Sequence, residues 1–314
     1  MKSLNNYNIT DIMLLGDKSN LCKLVKGVIM VPEILIKKIE EQYGDLLDKI
    51  LGGYTDRKST LRINTLKIKK EEVLEILDKE NIKYQFVSWY DCALIVDDID
   101  KIRNLDIYKN GEVYVQSLSS MIPPIILNPF NEKILDMAAS PGGKTTEIYN
   151  LSKGSSMITA VEKNPIRAEK LKYNLNKQGV QATVLVSDAS KLDEFFRFDK
   201  ILLDAPCSGS GTNKLEHFNE KLLYNCVDTQ KKLLLKALQI LKVNHTMVYS
   251  TCSILYEENE KQLEDLIKKG IIEIIDIDGF DDIPRLPSKI KGTLCVCPTD
   301  LYEGFFVAHI RRLK

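Results

Sequence analysis

Two cysteines stand where a thiol could act on a bound molecule. Cys207 lies in ILLDAPCSGSG (201–211), three residues after Asp204, and Cys252 lies in MVYSTCS (247–253). Each follows an apolar run that reads as a buried strand. Pro206 has no N–H to donate, so it stops the first strand just before its thiol. Hydroxyls and glycines surround both cysteines, unlike the apolar setting of an inert buried thiol. Free cysteine is only a few per cent thiolate at neutral pH, but the thiolate is a strong nucleophile. Neighbouring strands lie about 4.8 Å apart, so adjacent strands would let the two thiols flank one small molecule. Cys22, Cys92, Cys226, Cys295 and Cys297 read as small buried residues.

A second constellation surrounds Asp136-Met137-Ala138-Ala139-Ser140-Pro141-Gly142-Gly143-Lys144-Thr145. Two glycines let backbone approach a ligand closely. Glu162 follows Gly143 by about 20 residues, the spacing at which an acid after the second strand accepts both hydroxyls of a ribose. The expected ligand is therefore a nucleoside derivative. Gly143-Lys144-Thr145 also ends like a phosphate-binding loop. There, however, the first glycine would fall on Ala138, and Pro141 removes one cradling amide. Asp136, Glu162, Asp188, Asp204 and Ser250-Thr251-Cys252 all sit at strand ends, where ligands bind in an open α/β sheet.

The elements that must position these groups alternate. KILDMA (133–138), MITAVE (157–162), ATVLV (182–186), DKILLDA (199–205) and TMVYS (246–250) read as strands. Helices are expected from Lys144, over 164–179, around 219–242 and over 257–269. That alternation predicts a parallel, doubly wound sheet, closed by IIEIIDI (271–277) and GFFVAHI (304–310) as an antiparallel pair. Upstream, Pro32 opens an amphipathic helix and Gly52-Gly53 ends that region. A small α+β unit follows: LRINTLKI (61–68), a helix over 70–82, YQFVSW (84–89) and ALIVDD (93–98). With Lys67, Lys69 and Lys70 it reads equally as an RNA-contacting module or as a structural cap. Trp89 and Tyr90 fit packing better than base stacking. A short helical extension is expected over 1–30.

The 314-residue chain is 44% hydrophobic and 28% charged, with 44 basic and 44 acidic residues. Zero net charge neither requires nor excludes a nucleic-acid partner. No apolar run reaches the roughly 18–20 residues that span a bilayer, and the N-terminus lacks a signal-peptide core. Seven scattered cysteines without a CxxC pair exclude a disulfide framework or zinc site. The expectation is a cytoplasmic monomer with reduced thiols and no metal.

LDMAASPGGKT, AVEKN with Arg167, SDAS, LDAPCSGSG and YSTCSI followed by EENE together resemble the motifs of the Sun-type (RsmB/RsmF-like) RNA cytosine-5 methyltransferases. LRINTLK (61–67), VQSLSS (115–120) and EGFFVAH (303–309) resemble flanking motifs of that family, so the resemblance covers about residues 31–314. It implies an α/β fold: a Rossmann-like class I methyltransferase sheet, mostly parallel with an antiparallel C-terminal strand, and a small N-terminal α+β domain. The implied division is an extension over 1–30, a small RNA-contacting domain over 31–110 and an S-adenosylmethionine-dependent methyltransferase domain over 111–314.

The resemblance further implies methyl transfer from S-adenosylmethionine to C5 of a cytosine in tRNA or rRNA, through a covalent Cys252–C6 adduct. Cys252 would be the nucleophile and Cys207 would assist release. Asp204 would hold the N3/N4 edge, kept neutral by burial. Ala138, Ala139, Ser140, Pro141, Gly142, Gly143 and Lys144 would wrap the cofactor, Glu162 would take the ribose and Asp188 the adenine edge. Arg167 and Asp204 also match cofactor-site positions, and Lys144 would serve either the cofactor or the target. Two other readings stay open: a DNA-type mechanism with Cys207 as nucleophile, and a non-catalytic RNA-binding or assembly factor that kept the fold.

Overall fold

The computed structural model describes residues 22–25 and 29–314. The helical extension expected over 1–30 otherwise lies outside the described residues. Where that stretch is described, Cys22–Val25 (β1) and Ile29–Pro32 (β2) pair antiparallel, so strand replaces the expected helix. Val25, Ile29 and Val31 are β-branched and favour it. Two helices follow, Glu33–Tyr43 (α1) and Leu47–Gly53 (α2).

A four-stranded antiparallel sheet comes next, in the order β4-β5-β3-β6. It contains Ser59–Ile63 (β3), Lys70–Lys79 (α3), Tyr84–Phe86 (β4), Ala93–Val96 (β5), Ile99–Asn104 (α4), Asp106–Lys109 (α5) and Val113–Val115 (β6). Leu61, Ile63, Val73, Leu77, Leu94 and Val96 form its core. Packing divides the expected 31–110 unit. Leu35, Ile39, Ile50 and Tyr54 join the core of the larger sheet, whereas β6, beyond residue 110, completes the small one.

The large sheet has nine strands. The chain runs through Leu118–Leu127 (α6), Lys133–Asp136 (β7), Gly143–Leu151 (α7), Met157–Glu162 (β8), Pro165–Gln178 (α8), Ala182–Val186 (β9) and Phe198–Asp204 (β10). It continues with Glu220–Ile240 (α9), Leu241–Thr251 (β11), Glu260–Lys268 (α10), Ile272–Ile275 (β12), Arg285–Leu286 (β13), Leu294–Val296 (β14) and Phe305–Arg312 (β15). Strands β9, β8, β7, β10 and β11 are parallel. β15 runs antiparallel to β11, and β12 and β14 share its other edge, again antiparallel.

Alternate residues of β10 serve opposite cores: Ile201 and Leu203 enter one, Leu202 the other. A parallel strand covered on both faces requires this. Strand order reverses between β7 and β10, so a crevice opens outside their carboxyl ends. Asp136 and Asp204 are the last residues of those two strands.

Three upstream polar features are internal to the fold. Lys67 Nζ donates to the Asn110 and Lys177 carbonyls at 2.8 and 2.7 Å, so it caps the end of α8. Lys70 sits over the Phe86 ring and pairs with Asp91. Trp89 donates its indole N–H to the Tyr302 hydroxyl at 3.0 Å, and Tyr90 is buried.

Candidate active site

β10 and β11 are parallel neighbours, with Asp204 opposite Ser250. Both therefore deliver their cysteines to one place. Ala205 N donates to the Ser250 carbonyl at 2.8 Å, extending the ladder past the strand end. Cys207 Sγ and Cys252 Sγ approach to 2.9 Å. The thiols, expected to flank one small molecule, touch each other here. Contact with Cys252, then burial, pushes the Cys207 thiol well above the ordinary cysteine range.

Gly211 closes the arrangement. Its N–H donates to the Cys252 carbonyl at 3.0 Å, and its carbonyl accepts from Gly304 N at 2.8 Å. A Cβ on Gly211 would lie 1.9 Å from the Gly304 oxygen, so no side chain fits. Helices α1 and α2 support the same loops. Tyr43 donates its hydroxyl to the Ile254 carbonyl at 2.6 Å, and Tyr54 does so to the Ser210 carbonyl at 2.6 Å.

Lys144 and Asp204 form an ion pair at 2.7 Å, and Lys144 also donates to Ser120 Oγ at 2.7 Å. Burial lowers the affinity of the Lys144 amine for its proton, but Asp204 and Asp136 outweigh it, so the net shift is upward. Ser250 Oγ donates to the other Asp204 oxygen at 2.8 Å. Asp204, expected at the N3/N4 edge, is thus engaged by both Lys144 and Ser250. Its side chain is 26% exposed and lies against a cation.

A cavity of about 210 Å³ opens beside this pair. Ala138, Ala139, Ser140, Pro141, Gly143, Lys144 and Asp204 line it, and Tyr114, Gln116 and Ser120 form the opposite wall. Gly142, Glu162, Arg167, Asp188 and both thiols lie outside that lining. Gly142 has φ +107, a value suited to glycine, and starts the turn into α7. Arg167 donates to the Ser140 carbonyl at 2.9 Å and lies 3.7 Å from Glu162. Glu162 is buried and accepts from Asn164 N at 2.8 Å through one oxygen. Asp188 accepts from Ser190 N and Oγ and pairs with Lys163 at 3.0 Å. The Ser190 hydroxyl and Lys163 hold its carboxyl down at about 2.

Sequence reasoning gave no role to Arg62, Gln116 or Glu147. Arg62 is 1% exposed. It donates to Gln116 Oε1 at 3.1 Å and Thr146 Oγ1 at 2.7 Å, and lies 3.9 Å from Glu147. Gln116 in turn donates to Glu147 Oε2 at 2.8 Å. Arg62 and Gln116 fall within LRINTLK and VQSLSS, so the motifs marked the positions but not the partnership.

Asp136 is 1% exposed and accepts the Thr145 hydroxyl at 2.6 Å. Burial pushes its carboxyl up to about 6, against the opposing Thr145 bond. A carboxyl whose folded value is raised holds its proton more tightly folded than unfolded. Stability therefore falls as pH rises from the ordinary carboxylate range to that folded value. Two units correspond to about 3 kcal/mol. We expect urea-unfolding stability to decline across that window, and Asp136→Asn to flatten the decline. An unaltered slope in the variant would remove Asp136 as its source.

Among the described residues, no group of three or more His, Cys, Asp or Glu could hold a metal ion, and no helix is long and apolar enough to cross a membrane. The strand order, the reversed final strand and the acid-ended strands around a glycine turn define a Rossmann-like methyltransferase fold. The family model described as 16S rRNA methyltransferase RsmB/F matches residues 124–311, and its ferredoxin-like domain model matches 31–102. The chain belongs to the RsmB/F methyltransferase family.

It is 30% identical to the ribosomal RNA small subunit methyltransferase F of Vibrio campbellii, over 91% of this chain and 64% of that protein. It is 31% identical to the 28S rRNA (cytosine-C(5))-methyltransferase of Mus musculus, over 90% of this chain and 39% of that protein. The chain thus spans less than two thirds of the length of these relatives. Among solved structures, a methyltransferase homologue protein from Pyrococcus horikoshii superposes with a TM-score of 0.79 at 29% identity, covering 89% of this chain and 99% of that one.

Proposed function

We propose that the protein transfers a methyl group from S-adenosylmethionine to C5 of a cytosine in RNA. The observation that carries this reading is the meeting of Cys207 and Cys252 beside the Lys144–Asp204 pair, at the mouth of a methyltransferase sheet. Relatives are named for ribosomal RNA, so rRNA is favoured over tRNA as the substrate. A cytosine inside a duplex is out of reach, so the target is unpaired or flipped from its stack.

The residues fit the cofactor. The Ala138–Lys144 turn borders the cavity, and the buried Glu162 carboxylate ends the second strand. Bound there, S-adenosylmethionine supplies an electrophilic methyl group. Glu162 would hold the ribose and Asp188 the adenine edge, and Arg167 fixes the turn through the Ser140 carbonyl. Cys252 adds to C6 of the base, which turns C5 into an enamine carbon able to accept the methyl group. Lys144 stabilises charge at the N3/N4 edge and is itself held by Asp204. Cys207 then serves the release step, in which C5 loses its proton and Cys252 is eliminated.

The deciding measurement is methyl incorporation from labelled S-adenosylmethionine into 16S rRNA, 23S rRNA and tRNA from cells lacking the gene. Cofactor binding without transfer to any of these would leave the non-catalytic RNA-binding reading. For the cofactor itself, Glu162→Ala is expected to weaken S-adenosylmethionine binding by roughly 1.5–3 kcal/mol through lost charged hydrogen bonds. Unchanged affinity in calorimetry would take Glu162 out of the site.

A further inference from the structure

Each cysteine is flanked by residues whose polar atoms are held by a buried side chain. On one side of Cys207, Pro206 presents its carbonyl to Gln230 Nε2 at 2.9 Å. On the other, Ser208 donates its N–H to Glu258 Oε1 at 2.7 Å and its hydroxyl to Oε2 at 2.6 Å. Gln230 also donates to Glu258 at 3.1 Å, joining the two grips. Cys252 is held in the same manner by the next residue along. Thr251 donates its hydroxyl to Asn259 Oδ1 at 2.6 Å, and Asn259 Nδ2 donates to the Ser253 carbonyl at 3.0 Å. Gln230, Glu258 and Asn259 are all fully buried. The turn that carries both grips is tied back to β11, because Tyr249 donates its hydroxyl to the Glu258 carbonyl at 2.6 Å.

We propose that Glu258 and Asn259 are positioning residues, each dedicated to one thiol: Glu258, with Gln230, sets Cys207, and Asn259 sets Cys252. One turn thereby fixes the place at which the two sulfurs meet. Assigning catalytic consequences to the two grips rests on the proposed methyl transfer; the grips themselves do not. A buried carboxylate is costly to desolvate, and no solvent-facing function uses this one. Three hydrogen bonds tie it to the Cys207 loop and to the glutamine that shares that loop, and Ser253 beside Cys252 also acts on its carboxyl. Neutral side chains could close a structural turn at smaller cost.

The two residues should therefore fail differently. With Glu258→Ala, Cys252 still adds to C6 and the methyl group is still accepted, but the release step slows. Turnover is expected to fall by roughly 10²-fold, the scale of a misplaced reacting group, while a denaturation-resistant RNA–protein adduct accumulates. With Asn259→Ala, adduct formation itself slows, and no adduct accumulates. Glu258→Gln keeps an acceptor for Ser208 N–H and a donor for its hydroxyl oxygen, so it should restore most of the turnover.

The grips are tested on the protein alone by the alkylation rate of each thiol with iodoacetamide, read by peptide mapping. Because the sulfurs touch, both rates can shift, but Glu258→Ala should change the Cys207 rate severalfold more than the Cys252 rate, and Asn259→Ala should do the reverse. Both rates moving equally in either variant, or neither moving, would overturn the proposal. Should an alanine variant fail to show a wild-type melting transition, Ser208→Ala, which removes the hydroxyl that Glu258 holds, and Asn259→Ser carry the same comparison. A wild-type protein that methylates no RNA but shows the partitioned alkylation would refute the proposed function and leave the two grips standing.

Discussion

Cys252→Ala and Cys207→Ala are both expected to lower turnover by roughly 10⁴-fold or more, as when a member of a concerted catalytic set is removed. They should leave different species behind. Without Cys252 no bond to C6 forms, and RNA binds only reversibly. Without Cys207 the adduct forms and takes its methyl group, but C5 keeps its proton and the enzyme stays attached. That variant should run with RNA as a band resistant to denaturation, provided cofactor is present. On the proposed mechanism, the contact between the two sulfurs at 2.9 Å would let one ring engage both. They approach the base from a single point rather than from opposite sides. An adduct from the Cys252 variant and none from the Cys207 variant would reverse the roles and favour the DNA-type mechanism.

Asp204→Ala is expected to cost about 3 kcal/mol of stability, because removing one partner of a buried pair leaves the other charge uncompensated. The stranded group is the Lys144 ammonium, whose side chain is only 13% exposed. Lys144→Met should cost much less. The Asp204 it leaves is twice as exposed and keeps the Ser250 hydroxyl. Methyl transfer should nevertheless fall by roughly 10²–10³-fold in both, the usual effect of removing a donor aimed at developing charge. Denaturant melts and single-turnover rates on both variants separate the two effects. Equal destabilisation by the two would show that the pair is not buried in solution as it is here.

The parallel half of the large sheet was legible because strands covered on both faces are short apolar runs ending on acids. β8 and β9 lie where the pattern put them, and the final antiparallel strand was expected. α6, β13, β14 and β6 were not legible. α6 carries Pro123 and Pro124 inside a helix, and proline normally signals a break. Its apolar surroundings on both the α7 and β11 sides override that local preference. β13 and β14 are two and three residues long, too short for any alternation to show. β6 is equally short, and its membership of the small sheet is set by pairing with distant β3.

The site divides the same way. Its acids and cysteines were readable at strand ends, but their mutual geometry was not. Strand adjacency says that two thiols come together. It does not say whether they face across a ring or touch. The Lys144–Asp204 pair was hidden for the same reason: 60 positions separate the two residues in the sequence, and only the reversal of strand order brings β7 and β10 side by side.

The buried set of Arg62, Gln116 and Glu147 bears on how such a protein can evolve. The arginine belongs to the small sheet, and the glutamate to the helix after the first strand of the large one. Separating the two sheets would strand a carboxylate that burial already pushes up to about 8. Separation would also break the hydrogen bonds of Arg62 to Gln116 and Thr146 and of Gln116 to Glu147, each worth about 0.5–1.5 kcal/mol. The two sheets are therefore expected to melt as one cooperative unit, and two separate calorimetric transitions would contradict this. A small sheet transplanted from a distant relative is tolerated only if it brings an arginine and a glutamine to these two positions.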